Sequence, residues 1–220
     1  MHALAYTGLL LASAGTFSSL DEGIPPLTEQ LPDADVCTEL DVLFLFDTTG
    51  SMDHYLAAAQ EVAGHAAQKI QADIPHARFA VASVADFPQF GISKDRPYIS
   101  VLDFQGDASL VGRVILPAQA GGDIPEAYPY ALRMASNERW NAHARRYVVL
   151  FADSHARDDN TLEASIQYSN YTLLPVLADE GSQMYWSRFV PSVFSLSPLE
   201  KLEDLLFTSL KGQCSTPFLS

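Results

Sequence analysis

Five consecutive residues, Asp47-Thr48-Thr49-Gly50-Ser51, carry one carboxylate and three hydroxyls. Asp47, Thr49 and Ser51 alternate, and alternate residues of an extended turn can point the same way. Carboxylate and hydroxyl oxygens are hard ligands suited to Mg²⁺, Mn²⁺ or Ca²⁺. Gly50 permits a sharp turn between them. No cysteine or histidine cluster accompanies the loop, so zinc is not expected. The six histidines, His2, His54, His65, His76, His143 and His155, show no ligand spacing. His155 follows Asp153 closely and stands near the rim, although a solvated loop histidine is the simpler reading. Taken alone, the loop serves equally well as an N-cap for a helix that follows it.

The surrounding elements change that balance. Val42-Leu43-Phe44-Leu45-Phe46 is a continuous apolar run ending at Asp47, which suits a strand buried on both faces. Leu56, Ala59, Val62, Ala63, Ala66 and Ile70 then follow helical spacing from His54 to about Ala72, and Pro75 closes the helix. Phe79–Val84 is a second apolar strand, followed closely by Asp86. Tyr98–Phe104 reads as a third strand, antiparallel. A helix is expected over Ala108–Ala118, and another from Pro125 to about Asn137. Tyr147–Phe151 is a further apolar strand, leading into Asp153. A short helix over Thr161–Tyr168 and a strand over Thr172–Leu177 come next, with a last strand over Val190–Leu196.

The final helix has the clearest signals. Ser197 and Glu200 form a capping box with Pro198 at the first helical position, and Leu202, Leu205, Leu206 and Leu210 give an apolar face. The aromatic group Tyr185, Trp186 and Phe189 reads as core packing. Alternating strands and helices predict an α/β fold, a three-layer sandwich with a mostly parallel central sheet flanked by helices. Ligands of such sheets bind outside the carboxyl ends of the strands. Asp47, Asp86 and Asp153 all fall at strand ends, so they are expected to converge on one edge.

Composition bounds the rest. A chain of 220 residues with 48% hydrophobic and 18% charged residues suits one domain with a sizeable core. A formal charge of −14 repels nucleic acid and favours cations, so a nucleic-acid partner is not expected. Ala3–Ala14 is apolar and small and ends in Ala12-Ser13-Ala14, the form of a signal-peptidase site, although the usual basic start is missing. Residues 1–14 are read as a signal peptide, 15–36 as a linker or arm, 37–214 as the folded domain and 215–220 as a tail. No later run spans a membrane. Cys37 and Cys214 sit at the edges of the domain, where a disulfide would close its ends. On the chain-entropy model so long a loop stabilises by about 4–5 kcal/mol. Leader and bridge both imply export, to the extracellular space or the cell surface. Asn170-Tyr171-Thr172 is a glycosylation sequon.

Three segments, in order, resemble von Willebrand factor A domains over about residues 38–213. Asp47-Thr48-Thr49-Gly50-Ser51-Met52 resembles their metal-ion-dependent adhesion site. Gly121-Gly122-Asp123-Ile124-Pro125-Glu126-Ala127 is similar to a segment of the integrin-β-like branch. Tyr147–Asp153 resembles the strand that delivers the last aspartate of the site. The resemblance implies that Thr49 and Ser51 bind Mg²⁺ or Mn²⁺ directly, that Asp47 and Asp153 lie in or near the same shell, and that Glu126 supplies a further carboxylate. It implies that an acidic side chain of a protein partner completes the shell. It also implies a second cation, Ca²⁺, between Asp86, Asp123 and Glu126, although Gly121 stands where that branch has an asparagine. A third cation is not expected, because His54 and Tyr55 stand where acidic residues would be needed. Selectivity for a partner would lie in the loops around the site, 87–96 and 154–160.

Two other functions compete. The loop also resembles the phosphorylated-aspartate loop of P-type ATPases and haloacid-dehalogenase-like phosphatases, in which Asp47 would be a nucleophile. Thr48 replaces the ATPase lysine, Thr49 the second phosphatase aspartate, and Arg157 stands where a late aspartate pair would need its second member. No Gly-x-Ser-x-Gly elbow or His-Glu-x-x-His motif occurs, so an enzyme is not expected. The other alternative is a structural domain of an extracellular assembly with a silent site.

Overall fold

Eight residues of β1 (Leu40–Asp47) are all buried, as the unbroken apolar run predicts for a central strand covered on both faces. The structure, a computed structural model, describes residues 39–117, 126–197 and 199–212, all within one compact unit. The expected leader, arm and tail, Cys37, Cys214, Asp123, and the Pro198 and Glu200 side chains of the expected capping box lie outside the described residues.

The sheet has six strands in the order β3-β2-β1-β4-β5-β6. These are β1, β2 (Arg78–Val84), β3 (Ile99–Gln105), β4 (Arg145–Ala152), β5 (Thr172–Leu177) and β6 (Phe194–Ser195). Only β3 runs antiparallel, at the edge beside β2; the other neighbours are parallel. The period-two alternation of strand side chains divides the core. Leu40, Val42, Phe44 and Phe46 face one cluster with Val62, Ala66 and Ile70 of α1 (Leu56–Asp73) and Leu202, Leu206 and Leu210 of α5 (Leu199–Gly212). Leu43 and Leu45 face the other, with Tyr128 and Leu132 of α2 (Tyr128–Ala135), Leu162 of α3 (Asp159–Gln167) and Trp186 of α4 (Glu180–Trp186). The expected three-layer α/β sandwich is therefore present.

Several elements differ in extent from expectation. The helix expected over 108–118 is one 3-10 turn, Ala108–Arg113, capped by the Asp107 side chain on Ser109 N–H, and Val114 is already extended. Residues 118–125 lie outside the described residues, and α2 begins at Tyr128. The strand expected over 190–196 shrinks to two residues. It pairs only with Val176 and Leu177, so Pro175, which has no N–H to give, lies beyond its reach. The run Asp179–Trp186 hides a helix that periodicity missed: Asp179 caps α4 by accepting from Ser182 N–H at 2.9 Å. Trp186 is wholly buried, in agreement with the core reading of the aromatic group. Leu205 is half exposed, so the apolar face of α5 is Leu202, Leu206 and Leu210.

Candidate functional site

The loop after β1 is pinned before it reaches its oxygens. Thr48 donates both its N–H (2.9 Å) and its hydroxyl (3.2 Å) to the Val84 carbonyl at the end of β2. Thr49 then turns back on Asp47: its N–H donates to Oδ1 at 2.9 Å and its hydroxyl to the same oxygen at 2.6 Å. A 3-10 turn, Gly50–His54, follows and leads into α1. The Thr49 side chain makes no capping hydrogen bond to that turn, which separates the loop from an ordinary helix cap.

The second strand end arrives through Ser51, whose hydroxyl donates to Asp153 Oδ1 at 3.2 Å across 102 residues of sequence. Thr49 Oγ1 and Ser51 Oγ lie 3.3 Å apart. The two hydroxyl oxygens thus meet between Asp47 and Asp153, and either can donate to the other. Hydroxyl and carboxylate oxygens gathered in this way are donors of the kind a hard cation takes. Asp153 is held from behind by α4: Ser182 Oγ donates to its carbonyl at 2.8 Å, and Trp186 Nε1 donates to Ser154 O at 3.0 Å.

Glu126 comes from a third direction. Its N–H donates to His155 O, and Arg157 N–H donates to Glu126 O, both at 3.0 Å, an isolated parallel bridge around Ala156. This bridge ties the residue before α2 to the loop after β4. The Glu126 side chain is buried, and its Oε2 has no hydrogen-bond partner among the described residues. Such an atom costs about 1–3 kcal/mol unless something completes it.

The electrostatics follow from this crowding. Burial pushes the Glu126 carboxyl up to about 9, and the fields of Asp47, Asp86 and Asp153 add to the rise while Arg157 opposes it. Burial likewise raises Asp47 to about 6, against the hydrogen bonds from Thr49 and Tyr128. Asp153 is raised by burial, with its bond from Ser51 opposing. No three Asp, Glu, His or Cys side chains among the described residues gather tightly enough to chelate a metal unaided. A cation held by the described residues would therefore need the hydroxyls of Thr49 and Ser51 in its shell. With them, the donor set fits Mg²⁺ or Mn²⁺: all oxygen, part anionic, with one buried carboxylate oxygen uncompleted. Ser51 is exposed and Asp153 half-buried, so the site opens to solvent on that side.

Two residues at the site were not foreseen. The Tyr128 hydroxyl, wholly buried, donates to Asp47 Oδ2. Its only signal in sequence was a position two residues after Glu126, at the start of a helix. Arg157 donates through its guanidinium to Asp86 Oδ2 and lies over the Phe90 ring, 4.1 Å from its centroid. In the sequence Arg157 stands out only as the residue that breaks a phosphatase pattern and as a member of the loop 154–160. Asp86 is wholly buried; Asp123, expected beside it, lies outside the described residues. The loops 87–96 and 154–160 thus meet at one flank through Arg157 and Phe90. His155 is exposed on the rim and stacks on Tyr185 at 4.3 Å. Asn170 is exposed just before β5, with Nδ2 donating to Ser136 O at 3.2 Å.

No protein-family model matches the sequence, and no curated protein matches it. Solved structures do match in fold. The SpRpn10 VWA domain superposes with a TM-score of 0.58 at 14% identity, over 76% of this chain and 94% of that one. The pilus adhesin SpaC from Lactobacillus rhamnosus GG, in its open conformation, gives 0.59 at 12% identity. Proximal thread matrix protein 1 from the mussel byssus gives 0.55 at 15%. The match covers 80% and 82% of this chain but only 30% of the adhesin and 47% of the byssus protein. At these identities the likeness shows the fold alone: the chain has the fold of a von Willebrand factor A domain.

Proposed function

We propose that the chain is an extracellular, metal-dependent adhesion or ligand-binding module. In this reading Thr49, Ser51, Asp47, Asp153 and Glu126 hold Mg²⁺ or Mn²⁺, and an acidic side chain of a protein partner binds there. The observation that carries it is the buried Glu126 Oε2 without a hydrogen-bond partner among the described residues, in the field of Asp47 and Asp153, whose carboxylates hold the Thr49 and Ser51 hydroxyls 3.3 Å apart. The bound cation would supply Lewis acidity toward an outside carboxylate. The chain's own residues do the rest. Asp47 and Asp153 orient the two hydroxyls, Thr48 fixes the loop to β2, and α4 holds the Asp153 segment. The opening beside Ser51 is the side on which a partner has access.

Titration calorimetry with Mg²⁺, Mn²⁺ and Ca²⁺ tests this reading. Binding that is lost in Ser51→Ala and Asp153→Ala supports it, and no binding by the unaltered chain overturns it. One observation favours a silent site instead: both Asp47 oxygens already accept hydrogen bonds within the chain, from Thr49 and Tyr128. The same observation weighs against Asp47 as a phosphate nucleophile, because a wholly buried carboxylate held on both oxygens is not presented for attack. Absence of turnover of a phosphate ester with Mg²⁺ is the expected outcome. An extracellular location is supported by the apolar stretch 3–14, and among the described residues no helix is long and apolar enough to cross a membrane.

A further inference from the structure

We infer that the guanidinium of Arg157 stands in for a second cation, a tethered charge between Asp86 and Glu126 where the sequence resemblance places a shared metal. Asp86 is wholly buried, and a buried carboxylate demands a positive partner. That partner is part of the chain: Arg157 donates to Asp86 Oδ2, and its own N–H donates to the Glu126 carbonyl at 3.0 Å. The backbone bridge fixes where the arginine side chain starts, and the Phe90 ring under the guanidinium, 4.1 Å from its centroid, fixes where it ends. The charge is therefore paired with Asp86, and its field acts on the Glu126 carboxyl, opposing the rise that burial and the other carboxylates impose. A metal entering between them would meet a like charge that cannot leave. The planar, always-charged guanidinium suits this role better than an ammonium.

The assignment rests on the metal-binding reading only for the count expected of the unaltered chain, which is one cation. The experiment is equilibrium dialysis of the full chain against Mg²⁺ with Ca²⁺, with bound metal counted per chain for the unaltered protein, R157A and R157K. R157A is expected to bind one cation more than the unaltered chain, with calcium raising its melting temperature. R157K, which keeps the charge, is expected to gain none. A folded R157A that binds no additional cation overturns the inference, as do two cations on the unaltered chain. If the unaltered chain binds none, the metal-binding reading fails, yet a cation gained by R157A still supports the arginine's role. If R157A is unfolded in chelator, refolding by calcium supports the assignment, and failure of calcium to refold it counts against it.

Discussion

A carboxylate oxygen becomes informative when it is buried without a hydrogen-bond partner, as Glu126 Oε2 is among the described residues. The Glu126 carboxyl is raised to about 9 and that of Asp47 to about 6, so both favour the folded state in the protonated form. Their contribution is complete below the ordinary carboxylate range and is lost as pH rises through about 6 and then about 9. In chelator, the urea midpoint should fall across that window, and Glu126→Gln should flatten the fall at its upper end. The same variant should weaken cation binding at least about tenfold, or about 1.4 kcal/mol, in calorimetry; unchanged affinity would remove Glu126 from the cation's shell. Tyr128→Phe leaves Asp47 Oδ2 buried without its donor and should cost about 1–3 kcal/mol in denaturant melts near neutral pH. Asp47, Asp86 and Asp153 were legible in the sequence because each ends or closely follows an apolar strand. Tyr128 and Arg157 were not, since a hydroxyl aimed at Asp47 across 81 residues and a guanidinium reaching Asp86 across 71 leave no local pattern.

At the scale of elements, periodicity identified what packing enforces. β1, β2, β4 and β5 are apolar because the sheet covers both their faces, and α1 and α5 show their stripes because each has a wet side. The 3-10 turn after β3 and the short α4 were obscured by contacts made elsewhere in the chain. Gly64 of α1 and Gly112 of that turn show one such contact: a Cβ on Gly64 would stand 3.0 Å from the Gly112 Cα. A Cβ on Gly64 fits only if the turn gives way by a few tenths of an ångström, whereas one on Gly112 would make ordinary contact at 3.5 Å. Gly64→Ala should therefore destabilise by about 1–3 kcal/mol through overpacking, read as a melting temperature lower by several degrees. A neutral result would mean that the turn moves aside without cost. α5 lies along α1 under a group of ion pairs, among them Lys69–Asp204 at 2.8 Å and Lys211–Asp73. Both are exposed, so salt screens them and the leucine face carries the contact.

Across the whole molecule, the charge of −14 makes cation binding a long-range as well as a local matter. Raising monovalent salt should weaken Mg²⁺ binding by screening that field, and saturating Mg²⁺ should raise the melting temperature by mass action. A melting temperature indifferent to both chelator and cation would leave the site silent. Asn170 precedes β5, whereas the site lies beyond the strands' other ends, so a glycan there would leave the opening beside Ser51 uncovered. One strand has a property that its neighbours lack. β2 is bordered at each end by a buried carboxylate paired with a half-buried arginine, Asp41 with Arg78 at its start and Asp86 with Arg157 just past its finish. The arginine of each pair lies over a phenylalanine ring, Phe104 or Phe90. Dehydrating such pairs becomes less costly on warming, while the apolar middle of the strand loses its drive on cooling. Both trends run the same way, so these two contributions to the hold of β2 on the sheet weaken together on cooling.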